Sequence, residues 1–275
     1  MKNGRVLLVG LVLGLGCSAA AFADGNVVVE VSGDTLFLVG DQYSNRVAVS
    51  DKDEDGRWEV VGDGSTKLNG LFAPVTTAVP TDNVRIDLGD RDDNVNFSDA
   101  AVPGTLTVWM GAGNDKAMIY DTTIGQSLLF EGNDGDDKLS IKNMTVEYYY
   151  SRIEMDDGLS LGKDSLKMKG FSGRGLDVTL GSGVDKCTVQ DSTLTVLDFG
   201  FLTILAGGDR DRVNLKSVTA YSLTAEMEDG DGDGLKVSGC TSSETTFDGG
   251  AGTGDRLLLG ADNTLGSGTP VNFEP

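Results

Sequence analysis

Residues 111–121 read GAGNDKAMIYD, two glycines and an aspartate followed by alternating side chains. Such a stretch is either a calcium-binding turn or a tight corner feeding a strand, and what recurs around it decides. From about residue 81 the unit Asp-x-Φ-x-Φ, with Φ apolar, returns eight times. It is led by Asp93, Asp115, Asp137, Asp164, Asp185, Asp211, Asp233 and Asp255, at intervals of 21 to 27 residues and most often 22. A period in this range marks stacked supersecondary units.

Two residues after each aspartate stand Val95, Ala117, Leu139, Leu166, Cys187, Val213, Leu235 and Leu257. Four residues after stand Phe97, Ile119, Ile141, Met168, Val189, Leu215, Val237 and Leu259. All of these are apolar and the position between them is mostly polar, so the period is two and the elements are strands. A second strand enters each corner, as in Val84/Ile86, Leu106/Val108, Leu128/Phe130, Leu176/Val178 and Leu202/Ile204. A second corner follows each first strand, at Asp99, Asp121, Asn143, Gly170 and Asp191.

The expected fold is all-β: a right-handed parallel β-helix of about eight 22-residue coils over residues 81–260, the hand following from the rule for parallel crossovers. Eight coils about 4.8 Å apart make a rod of about 38 Å. Each coil can bury its apolar ladder only against its neighbours. Residues 24–80 contain the short alternating runs NVVVEV, TLFLVG, NRVAVS and RWEVVG, and read as an N-terminal antiparallel β cap over the open sheet edge. Residues 261–275 form a short polar tail.

Residues 1–23 read as a secretory signal peptide, with Lys2 and Arg5, an apolar run over 6–16 and the cleavage site Ala21-Phe22-Ala23. Gly14 stands where a lipobox before Cys17 prefers leucine, which favours soluble export over a lipid anchor. No later segment is apolar and long enough to span a bilayer. Removing residues 1–23 takes the net charge from −21 to −23. That surface repels nucleic acid and anionic lipid and attracts divalent cations or basic partners. The chain has no histidine, which excludes a histidine triad or zinc site. Cys187 and Cys240 fall about two coils apart, roughly 10 Å, too far for a disulfide, and read as buried thiols.

GAGNDKAMI and GSGVDKCTV (181–189) carry G-x-G-x-D followed by alternate apolar residues. On these motifs the chain resembles bacterial secreted parallel β-helix (β-solenoid) repeat proteins with RTX-like Gly/Asp turns. The resemblance implies export, and Ca²⁺ held at corners such as that of Asp115. RTX nonapeptides come back to back, about two per coil, whereas here one corner serves each coil and two of eight keep both glycines. The competing reading is a turn-forming aspartate. Its charge would be offset by the Lys116, Lys138, Lys186, Arg212 or Arg256 that follows, or by a backbone N–H of its own turn.

Two further loops have calcium chemistry. DKDEDGRWE (51–59) sets Asp51, Asp53 and Asp55 at alternate positions with Glu59 as a fourth hard oxygen donor. It resembles the calcium hairpin loops of integrin-type β-propeller repeats over those nine residues. DGDGDG (229–234) has Asp229, Asp231 and Asp233, but Val237 where the fourth carboxylate belongs. Tyr148, Tyr149 and Tyr150 read as a packed strand or a platform for sugar rings.

The expected function is a non-catalytic exported acidic β-solenoid with a structural, adhesion or interaction role in the envelope or extracellular matrix. Calcium bound at these loops would stabilise it, and the partner would be polysaccharide or another surface protein. The rival is a pectate-lyase-like polysaccharide-active enzyme, for which Asp90, Arg91 and Asp92, or Asp209, Arg210 and Asp211, are the nearest acid–base groupings.

Overall fold

A strand whose alternate residues are apolar hides them by stacking on an identical strand one coil away, and the pairing shows that arrangement throughout. A computed structural model describes residues 25–51, 56–156, 161–194 and 199–274, and among these every regular element is a strand. The chain is a parallel β-solenoid. Along one face, Val47, Val95, Ala117, Leu139, Leu166, Cys187, Val213, Leu235 and Leu257 pair in register from coil to coil. The strands entering the corners stack likewise, from Leu38 through Ile86, Val108, Phe130, Ile153, Val178, Ile204 and Ala225 to Phe247. Both ladders point inward and form one continuous core with almost no exposure, apart from the terminal Leu257, which is partly buried against it.

The cross-section has three faces where two strands per coil were expected. Asp99, Asp121, Asn143, Gly170 and Asp191 adopt φ between 50° and 69°, a left-handed kink that bends the strand without ending it. The chain then runs on through a further pleat, as in Asn94–Val102 and Lys116–Ile124. That pleat buries Ala100, Val102, Ile124 and Met144 before the next turn. Pattern reading took these kinks for full corners because two apolar residues are too short a run to register as a strand.

The cap and the rod interleave. Strand Asn26–Ser32 pairs antiparallel with Thr35–Val39, and Arg46–Ser50 pairs antiparallel with Glu59–Gly62, as expected of the cap. But Thr35–Val39 and Arg46–Ser50 also run parallel to Asn83–Asp87 and Asn94–Val102. They form a coil of their own, so parallel stacking begins ahead of residue 81 and an excursion separates this coil from the next. Trp58 in that excursion is fully buried, 5.5 Å from the Phe97 ring, with its indole N–H on Thr81 Oγ1 at 2.8 Å. At the far end Thr264–Ser267 pairs parallel with Thr241–Asp248, so the expected tail contributes a partial coil beyond residue 260. Cys187 and Cys240 are buried free thiols, and burial pushes the Cys187 thiol up to about 12.

The register makes a sharp expectation. Leu139 is 1% exposed. Leu139→Asp should therefore put an unpaired carboxylate into the ladder and cost several kcal/mol. Lys138→Asp, on the outer side of the same strand, should shift Tm only slightly. Thermal unfolding by circular dichroism checks the contrast, and equal Tm values for the two variants would refute the register.

Candidate functional site

The glycine corners are shaped by the coil alongside. Gly111 has φ +100°, and a Cβ there would lie 1.7 Å from the Gly89 carbonyl oxygen; at Gly135 it would lie 1.6 Å from that of Gly113. No side chain fits between corner backbones stacked this closely. The G-x-G of residues 111–113 is thus explained by packing.

The aspartate after each glycine corner turns inward. All eight leading aspartates are buried, at 3% exposure or less. Each carboxylate reaches the preceding coil: the N–H of Asn45 donates to Oδ1 of Asp93 (2.6 Å), that of Asp93 to Asp115 (2.7 Å) and that of Asp115 to Asp137 (2.8 Å). The same bond runs on from Asp137 to Asp164, Asp164 to Asp185, Asp185 to Asp211, Asp211 to Asp233 and Asp233 to Asp255, at 2.7 to 2.9 Å. The sequence reading had the carboxylate serving its own turn; instead it ties one coil to the next. The Lys and Arg that follow point to solvent. Among the described residues no ion pair within 4.0 Å joins them to the column.

Each carboxylate satisfies one oxygen and strands the other. Oδ2 of every leading aspartate is buried without a hydrogen-bond partner. Desolvation is the main consequence: it pushes Asp93, Asp164 and Asp211 up to about 8, Asp137 to about 7, and Asp115, Asp185 and Asp233 to about 6. The backbone N–H opposes this, and neighbouring carboxylates add to it in most rungs. Stacked one coil apart, these seven carboxyls are electrostatically coupled.

Asn45 heads the column, and sequence reading passed over it. Its Nδ2 donates to the carbonyl oxygens of Tyr43 (2.7 Å) and Leu88 (3.1 Å). NRVAV (45–49) does carry the x-Φ-x-Φ pattern, with asparagine in the leading place. A second, exposed ladder runs beside the first in the opposite sense. The N–H groups of Asn114, Asp136 and Lys163 donate back to the side-chain oxygens of Asp92, Asn114 and Asp136, at 2.9 to 3.0 Å.

The sequence-derived metal residues fall in different surroundings. Asp115 and Asp233 belong to the buried column. Asp229 and Asp231 face solvent, so the DGDGDG loop divides its carboxylates between outside and inside. Two bonds from Thr253, N–H at 2.8 Å and hydroxyl at 2.9 Å, hold Asp231 below the usual carboxylate range. In the cap loop Asp51 is buried and accepts the Gly56 N–H at 2.9 Å, while Glu59 begins the next strand. Asp53 and Asp55 lie outside the described residues. Among the described residues no three His, Cys, Asp or Glu side chains converge as a metal group, and no helix is long and apolar enough to cross a membrane. Compared with known protein families, curated proteins and solved structures, the chain matches none.

Proposed function

We propose that this chain is a non-catalytic, exported, acidic β-solenoid with a structural, adhesion or interaction role in the envelope or extracellular matrix. The uniformity of the aspartate column carries the reading. Every coil spends its leading carboxylate on the same coil-to-coil bond, whereas a catalytic centre needs one coil to differ from the rest. Of the rival acid–base groupings, Asp211 is a rung of the column, while Asp209 and Arg210 face solvent. Incubation with polygalacturonate or alginate, followed by absorbance of unsaturated product and by chain length, should show no cleavage. Depolymerisation by the purified chain would overturn the reading.

Calcium stabilisation belongs to the same proposal and attaches to Asp51, Asp53, Asp55 and Glu59. Calcium at millimolar levels is expected to raise Tm by binding the folded state. Asp53→Ala should remove most of that increment, and Asp115→Ala, in the buried column, should preserve it. The opposite pattern would move the ion to the corners, and no calcium-dependent change would remove it from the proposal.

A further inference from the structure

Nearly half of the Lys and Arg of this acidic chain lie on one face. Its strands are Asn94–Val102, Lys116–Ile124, Lys138–Val146, Ser165–Ser172, Lys186–Leu194, Arg212–Glu226, Gly234–Ser238 and Arg256–Leu259. On the stretches that follow the aspartates, three outward columns run along the rod. The first holds Lys116, Lys138, Lys186, Arg212 and Arg256; the second, Lys167 and Lys236; the third, Lys142, Lys169 and Lys216. These are ten of the 22 Lys and Arg in a chain of net charge −21, and no Asp or Glu shares the three columns with them. All ten are exposed. Among the described residues only Lys169 has a carboxylate within 4.0 Å, from Asp191 at 3.6 Å. Two open grooves lie along this face. One of about 360 Å³ is lined by Lys163, Lys186, Arg210 and Arg212 together with Asp164 and Asp185, and one of about 440 Å³ by Lys186, Arg212, Lys236 and Arg256 with apolar Leu235 and Leu258 between them; both border Lys186 and Arg212.

We propose that this face binds a single linear anionic polysaccharide, bearing carboxylate or sulfate groups, laid along the rod axis. The inference supplies the partner class for the interaction role proposed above and rests on that reading. Ser165 and Gly234 interrupt the first column, but Lys167, Lys169 and Lys236 supply those rungs from the other two, so each of seven rungs, about 4.8 Å apart along the axis and about 29 Å in all, carries at least one cation. That is an axial array suited to a polymer with a charge on each sugar unit. Carboxylates flank the strip, with exposed Asp99, Asp121 and Asp191 on one side and Asp92 and Asp136 on the other, where Lys163 and Arg210 of later coils extend the basic face. One extended chain fits between these flanks, whereas a bilayer surface would press against them within a Debye length of about 8 Å. Tyr120 is the one aromatic in the three columns, so there is no stacking platform of the kind that holds single-stranded nucleic acid. A second copy would bring its own strong negative charge against the flanks.

The test measures binding of the full chain to polygalacturonate and to dextran sulfate by calorimetry. Affinity should fall at least about tenfold between roughly 50 and 200 mM salt, as counterion release requires. The triple variant Lys186→Gln, Arg212→Gln, Lys236→Gln should lose about tenfold in affinity, with its thermal unfolding unchanged. Thr123→Glu, Thr145→Glu, Thr193→Glu changes net charge by the same amount on the neighbouring face, and should bind within about twofold of the parent. Preference between the two polymers identifies carboxylate or sulfate as the recognised group. Equal losses in both triple variants, or no binding to either polymer at low salt, would overturn the proposal. So would tighter binding to single-stranded DNA or to phosphatidylserine vesicles, or a salt-sensitive oligomer that the polymers fail to compete away. Cleavage of the polymer in the same samples would sink the non-catalytic reading and leave the binding face standing.

Discussion

Lowering the pH from 8 to 5 is expected to raise the melting temperature by roughly 10 °C, the reverse of ordinary acid denaturation. Burial holds seven aspartates at folded-state values of about 6 to 8, above the ordinary carboxylate value of 3.8. Within that window the folded chain holds protons that the unfolded chain releases, so stability is greatest below about pH 4 and declines as pH rises through the folded values. The cause is the stranded Oδ2 of each rung, which has lost water and gained no donor. The rungs are coupled and the corner can relax, so the single-site shifts do not add. A net linkage of about 4 kcal/mol gives the stated change, at about 2–4 °C per kcal/mol for a chain of this size. Relief of the general negative charge acts in the same direction. Calorimetric scans at low protein concentration in matched ionic strength measure the effect. A Tm that falls steadily from pH 8 to pH 5 would refute the buried column.

The second large effect is an isosteric exchange within the column. Asp164→Asn should raise Tm relative to the parent at pH 8 and leave it close to the parent at pH 5. The amide keeps an oxygen for the Asp137 N–H, now 2.7 Å from Asp164 Oδ1, and removes the buried charge. At the head of the column Asn45 satisfies its Nδ2 on backbone carbonyls, although its Oδ1 accepts no bond. Asp164→Ala removes the acceptor as well and leaves a buried N–H without a partner. It should be less stable than the asparagine variant at both pH values, by about 1–3 kcal/mol. Denaturant titration of the three proteins at the two pH values decides. An alanine variant as stable as the asparagine variant would show that the coil-to-coil bond contributes nothing.

The solenoid itself was legible in the sequence because its determinants are local and repeated. Val95/Phe97 and their counterparts alternate with period two in every unit, and stacking identical strands is the arrangement that buries such a pattern repeatedly. The positions of the second bends, at Asp99, Asp121, Asn143 and Asp191, were legible too, but not that each is a left-handed kink within a strand that runs on. The coil led by Asn45 was hidden by the separation of 48 positions from Asn45 to Asp93, which breaks the period although the residue pattern survives. What only the tertiary structure decided is where the polar groups point. An aspartate following a glycine turn can serve its own backbone, a metal or a neighbouring coil, and the spacing is the same in all three cases. The choice falls to the N–H one coil away, a group more than 20 residues distant in sequence. The basic face arises similarly: Lys138, Lys186, Arg212 and Arg256 are scattered among acids along the chain, and only coil stacking aligns them while sending their aspartate neighbours inside.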